Sequence, residues 1–437
     1  MFTNRKNTHS ARIDRASFLK RMAVGTGTAA GLFGGGSWLK QLAAREQTDV
    51  KIDSPVKSVI FINMAGGMSH VDTFDPKPGN GKFRSIRASN GAQVSEVMPR
   101  LAAQMKHVNL VRSLHSQEGS HERGAYLIHT GHKPNAAFQD IPSFGAVIAM
   151  AHDMHKPADA TYFPAHITLG GKGAQIGKGG FLGVQYDSFH IGNLDRPLSN
   201  LEPHWYFKDD SDFMRGEMLN LVNTNFKKRV ASSQIQTWEQ MHRSAREFMN
   251  SPRLKVFNLD QESAKNKARY GSQKYSKAML MLKRLAEIEV PFMELTIGGW
   301  DTHNNNFDQI RKNWAEIDQP LAALVEELAG SGLLKQTMIV INSEFGRTVE
   351  VNADRDGRDH HPRAWTALIA GGNLPRGVVY GATDQKAFKP EKDPVTVEQF
   401  ISTIYKSAGI DPRKTLYTAL GRPFTLIDNP NSIPGFI

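Results

Sequence analysis

Apolar residues fall along this chain in two rhythms. Short, largely apolar runs at 57–63 (KSVIFIN), 107–114 (HVNLVRSL), 291–297 (PFMELTI), 337–342 (TMIVIN) and 365–372 (WTALIAGG) predict strands, because a strand covered on both faces has little polar side to alternate with. Helical spacing interleaves with them. Met281, Leu282, Leu285 and Ile288 fall on one stripe of an amphipathic helix over 276–288, and further helices fit 307–330 and 394–410. GAYLIHTG at 124–131 predicts a short helix closed by Gly131. Helix followed by strand is the α/β alternation, so the predicted fold class is α/β. Residues 150–222 lack clean periodicity and 223–290 are helical in character, which predicts a connecting or cap region over 150–290; the tail from 421 to 437 is irregular.

Three of four polar clusters follow these runs directly. They are Asn63 to Asp72 after VIFI, Asp301 and His303 after FMELTI, and Glu344 after MIVI; Asp359, His360 and His361 lie in the next loop. An open α/β sheet places metals and catalytic groups just past the carboxyl ends of its strands. A structural alternative stands beside each cluster. Asp301 is also a suitable helix cap, Glu344 and Arg347 also a plausible ion pair, and of the adjacent His360 and His361 only one is expected to touch an ion directly. Trp300 and Trp365 flank the clusters and either line a pocket or belong to the core.

Composition narrows the chemistry. The chain has 437 residues and no cysteine, so thiol nucleophiles, disulfides and Cys-based zinc sites are excluded, and a metal must use His and carboxylate ligands. Its 40% hydrophobic and 22% charged residues are ordinary for a globular protein. The net charge of +11 is concentrated at the start: residues 1–44 hold seven Lys/Arg and one acid, leaving +5 for the remainder. No long basic block with interleaved aromatics occurs, so a nucleic-acid partner is not expected.

The first residues form an address. Arg5, Lys6, Arg12, Arg15, Lys20 and Arg21 precede the uncharged MAVGTGTAAGLFGGGSW and the small pair Ala43 and Ala44, the order of a secretory signal. DRASFLKRM at 14–22 resembles a twin-arginine leader, with Ala16 where the second arginine belongs. The expectation is an export signal over 1–44, a tether over 45–56 and a single domain over 57–437. No stable membrane span is expected after processing, and the location is the periplasm or the exterior of a bacterium.

GGWDTH, SEFGRT and the DHH loop, together with GGMSHVDTFDPKPG, SHERGAYLIHTG and LDQESAKNKARYG, resemble one bacterial family of exported proteins across residues 55–437. It is the domain-of-unknown-function 1501 family, placed with the sulfatases in the alkaline-phosphatase-like superfamily. That resemblance implies a mixed, mainly parallel sheet flanked by helices, and a metal-dependent hydrolase of sulfate or phosphate esters. It implies Ser120 as nucleophile, His121 as acid or base, and Arg347 on the transferring group. Asp301, His303, Glu344, His360, His361 and Asp72 would hold one or two divalent ions. Zinc suits that donor set best, with calcium or manganese as alternatives. Arg123, Asp359 and Trp300 would contact the substrate, an anionic ester that is either a small molecule or a polysaccharide; the export machinery is the other expected partner. Two departures stand out. No cysteine can become formylglycine, and Gly66 occupies the region where the superfamily carries a metal-binding acid, so either Asp72 or His70 substitutes or one metal position is lost. The rival expectation is a non-catalytic secreted binding or assembly protein that retains the fold.

Overall fold

The structure is a computed structural model. It describes residues 54–135, 140–153, 162–170, 177–198, 214, 216–219, 221–224, 233–418 and 420–437, so the export signal expected over 1–44 and nearly all of the tether expected over 45–56 lie outside the described residues. In chain order the principal elements are β1 (Ser58–Met64), α1 (Pro99–Gln104), β2 (Asn109–His115), α2 (His121–Thr130), α3 (Phe144–Asp153), β3 (His166–Leu169) and β4 (Phe189–Ile191). There follow α4 (Ser233–Met249), α5 (Ala264–Tyr270), α6 (Ser276–Glu287), β5 (Phe292–Ile297), α7 (Asn306–Gly330), β6 (Thr337–Asn342), β7 (Trp365–Ala370), β8 (Val379–Tyr380), β9 (Val395–Thr396) and α8 (Val397–Ser407). Among the described residues, no helix is long and apolar enough to cross a membrane.

Nine strands form one mixed sheet in the order β8-β2-β7-β6-β1-β5-β3-β4, with β9 beside β2. Every pairing is parallel except those of β7, which runs antiparallel to both β2 and β6. The carboxyl ends of eight strands therefore share an edge with the amino end of β7. Loops at 65–75, 116–120, 298–305 and 343–349 meet there with the loop that leads into Trp365.

The central strands are apolar on both sides because helices cover both faces. Val59 and Phe61 of β1 pack with Leu127 and Ile128 of α2, Phe144 of α3 and Phe400 of α8. Ile60 and Ile62 point the other way, into Leu101 of α1, Met279 and Leu282 of α6 and Trp314 of α7. Each such side chain contributes about 1.5–3 kcal/mol by leaving water. One expectation needs revision. The connecting or cap region expected over 150–290 contains β3 and β4, which extend the sheet edge. Strands of four and three residues are too short to show a period.

Candidate metal centre

Residues from four loops converge on one oxygen. Asp301 follows β5 after the turn at Gly298 and Gly299, and its Oδ1 lies 3.3 Å from His121 Nε2, 3.1 Å from His303 Nε2 and 3.4 Å from His360 Nε2. Arg347 Nη2 donates to the same oxygen at 2.6 Å. His303 Nε2 and His360 Nε2 are themselves 3.0 Å apart. These spacings are close to the roughly 3.3 Å between neighbouring ligands of a four-coordinate zinc bound at about 2.0–2.1 Å.

The other nitrogen of each ring is already committed. His121 Nδ1 lies 2.8 Å from Glu344 Oε1, His303 Nδ1 2.6 Å from Asp359 Oδ1, and His360 Nδ1 2.7 Å from the Gly119 carbonyl. All three partners are acceptors, so each Nδ1 donates and each ring turns Nε2 towards Asp301. Three such nitrogens beside one carboxylate are balanced either by protons on Nε2 or by a cation in their place. His121 Nε2 is buried and makes no hydrogen bond, and His121, Asp301 and His360 offer ligand atoms all within 4.8 Å of one another. The residues therefore fit a divalent cation, and their outer partners are those that orient metal-bound imidazoles.

Electrostatics agree with that geometry. Burial opposes the charge on Asp301, but the Arg347 hydrogen bond and the surrounding cations hold its carboxyl at about 2. The hydrogen bond to Glu344 raises His121 above its ordinary value, whereas burial lowers His360. Phe345, fully buried, backs both rings at 5.1 and 4.5 Å and keeps water from that side.

Local structure explains the convergence. His360 lies opposite Arg347 in a two-residue antiparallel ribbon, and Ser116 donates to the Pro362 carbonyl at 2.8 Å, which holds the 116–120 loop against it. Ser120 is the N-cap of α2, exposed, and its hydroxyl makes no capping bond. It follows Gly119, whose carbonyl meets His360. The free N–H groups of the first turn give this end of α2 a preference for anions.

Several predicted site residues take other roles. Asp72 is fully buried in a two-pronged pair with Arg358 at 2.7 and 3.1 Å, and also accepts from Ser69 at 2.6 Å and Asn306 at 2.9 Å; it has no oxygen left for an ion. His361 turns away from Asp301, donates to the Phe388 carbonyl at 2.6 Å and stacks on His70. His70 sits beneath the loop, bonded to Ala387, with burial pushing it down to about 4. Glu344 faces His121 rather than the centre of the cluster and accepts the Gly66 N–H at 2.8 Å. Arg347 is fully buried, bonded to the Gly66, Gly67 and Arg358 carbonyls as well as Asp301, which leaves it no free edge for a substrate. Trp300 is core, edge-on to Trp314. Asp359 is half-exposed but spent on His303, and exposed Arg123 pairs with Glu118 at 2.6 Å. Read only as an acid or base in the sequence, His121 emerges as a ligand candidate.

The absent acid at Gly66 has a steric cause. Gly66 adopts φ of +121°, and a Cβ there would stand 2.5 Å from the Asp301 amide and 2.8 Å from the Trp300 carbonyl carbon. No side chain fits. The loop after β1 instead supplies backbone to Glu344 and Arg347.

A family model described as "Protein of unknown function (DUF1501)" matches residues 56–437. The chain belongs to this family. No match is found among the curated proteins. Among solved structures, the chain is similar to the lipoteichoic acid synthase LtaP from Listeria monocytogenes, at 8% identity and TM-score 0.42, covering 90% of this chain and 82% of that one. It is similar to the zinc complex of the C-terminal periplasmic domain of EcEptC from Escherichia coli, at 11% identity and TM-score 0.39, covering 89% and 94%. It is also similar to the PsFucS1 sulfatase from Pseudoalteromonas sp., at 14% identity and TM-score 0.37, covering 91% and 76%.

Proposed function

We propose that this DUF1501 protein is a metal-dependent hydrolase of sulfate or phosphate esters, exported to the bacterial cell envelope. One observation carries the reading: three imidazoles, each with its Nδ1 tied to an acceptor, aim Nε2 at the Asp301 carboxylate. His121, His303, His360 and Asp301 would hold the ion, and the nitrogen-rich donor set favours zinc over calcium or manganese. Such an ion, when bound, lowers the pKa of a nearby nucleophile and neutralises charge on a transferring group.

The chain's own groups supply the rest. Ser120 is the candidate nucleophile, set at the start of α2 with its hydroxyl free of the helix cap. The first-turn N–H groups of α2 face where an anionic ester would approach, which suits a sulfuryl or phosphoryl group better than a neutral one. Arg123, exposed three residues on, is the cation free to exchange Glu118 for such a group. Arg347 holds Asp301 in place. The leader and the twin-arginine-like segment support export.

Metal analysis of the exported protein, joined to aryl sulfate, phosphate monoester and phosphodiester substrates with Ser120→Ala as control, tests the proposal. The expected result is about one zinc per chain and turnover that the substitution abolishes. Stoichiometric zinc without turnover of any ester would favour the alternative, a non-catalytic binding or assembly protein, which Gly66 in place of an acid supports.

A further inference from the structure

Helix α2 brings a second histidine to a second buried glutamate, away from the metal cluster. His129 Nδ1 lies 2.8 Å from the Ala125 carbonyl and Nε2 lies 3.1 Å from Glu294 Oε1. A carbonyl and a carboxylate both accept, so both ring nitrogens donate and the ring is an imidazolium. The two side chains are 1% and 3% exposed. Phe61 meets the ring edge-on at 5.3 Å, and Thr296 donates to the same Glu294 oxygen at 3.2 Å. Burial opposes both charges, yet their attraction prevails: His129 is raised and Glu294 lowered from their ordinary values.

Stability is a poor reason for this pair. A buried ion pair does no better than apolar side chains of similar volume, and Phe61, Leu127, Ile128 and Phe144 already make this interface apolar. Its geometric effect is specific. It ties the last turn of α2 to the middle of β5, while His121 ties the first turn to Glu344, about 12 Å further along the axis. Between them Gly124 lies so close that an added Cβ would stand 3.1 Å from Glu344 Cβ and 3.3 Å from its carbonyl oxygen. The helix has one height at which all three contacts hold.

We propose that His129 and Glu294 are positioning residues that set α2 along the sheet, and thereby the reach of Ser120 and His121 into the cluster around Asp301. Its kinetic consequence rests on the hydrolase reading, whereas its consequence for metal binding rests only on the His and Asp cluster. The test uses the full chain with Glu294→Gln and the double substitution His129→Leu with Glu294→Leu. Four quantities are measured: thermal midpoint, zinc affinity by chelator competition, the visible spectrum of the cobalt-substituted protein, and kcat and KM on an ester the unmodified protein hydrolyses. The double variant is expected to match or exceed the unmodified protein in thermal midpoint. It is also expected to lose about tenfold or more in zinc affinity, change its cobalt spectrum, and lower kcat at unchanged KM. A folded double variant with unaltered zinc affinity and cobalt spectrum overturns the proposal and leaves the pair as packing. If the double variant does not fold, Glu294→Gln, which keeps the shape and one acceptor, decides by the same spectrum and affinity. Absence of turnover in the unmodified protein defeats the hydrolase reading alone, since the zinc and cobalt measurements still decide this one.

Discussion

Two clusters of His, Asp and Arg lie on the same edge of the sheet and differ in where their imidazoles point. In the first, Ser69, Asp72, Asn306 and Arg358 satisfy one another, and His70 and His361 spend Nε2 on backbone carbonyls. In the second, every imidazole is bonded at Nδ1 and turns Nε2 towards Asp301. Residue type does not separate a strut from a ligand set; convergence of ligand atoms on one point does. The first cluster shapes the loop after β1, and the second can receive an ion.

Substitutions that treat the clusters differently give the sharpest test of the contrast. Removing a direct ligand, as in His303→Ala or Asp301→Ala, is expected to lose roughly a quarter of an apparent zinc-binding free energy of about 10–16 kcal/mol, a hundredfold or more in affinity. Turnover should fall with it while the fold persists, as chelator competition and a thermal melt would show. Asp72→Ala should do the reverse. Leaving Arg358 buried and unpaired costs about 3–5 kcal/mol of stability, read by urea unfolding, with zinc stoichiometry unchanged in the folded fraction. Asp72→Ala that loses zinc without losing stability would erase the distinction.

Smaller effects follow from the outer partners. Glu344→Gln and Asp359→Asn keep the shape but weaken the hold on Nδ1, and should cost about 10–100-fold in zinc affinity. Acid unfolding of the metal-free protein examines Asp301 itself. Its folded value of about 2 lies below the ordinary 3.8, so its ionised form stabilises the fold above pH 3.8, and that contribution disappears as pH falls through about 2. The unmodified protein and Asp301→Asn should therefore differ in stability above about pH 4 and converge near pH 2. Arg123→Ala removes a surface pair and should leave the midpoint of urea unfolding unchanged.

Much of the scaffold was legible because it rests on local periodicity. The apolar runs became β1, β2, β5, β6 and β7, and the stripe over 276–288 became α6 over Ser276–Glu287. The reversal of β7 was not legible, since strand direction is set by distant pairing, and that reversal is what brings His360 to the site. Within the site, Asp301, His303 and His360 could be found from Asp and His following strands. Asp72 and Glu344 carried the same signal and lost their ligand role to partners far away in sequence, 286 residues off for Arg358 and 223 for His121. His121 was masked by its place at the start of a helix beside the candidate nucleophile. His129 and Glu294 gave no signal, because a histidine in a helix and a glutamate in a strand become a pair only when the helix is laid on the sheet.

X-ray absorption at the zinc edge, on zinc-loaded protein and on His121→Ala, His303→Ala and His360→Ala, tests the metal centre most directly. The prediction is three imidazole nitrogens and one carboxylate oxygen at about 2.0–2.2 Å, with one imidazole lost in each variant. Zinc that is absent, or whose shell is untouched by these substitutions and altered by His361→Ala or Asp72→Ala, would contradict it.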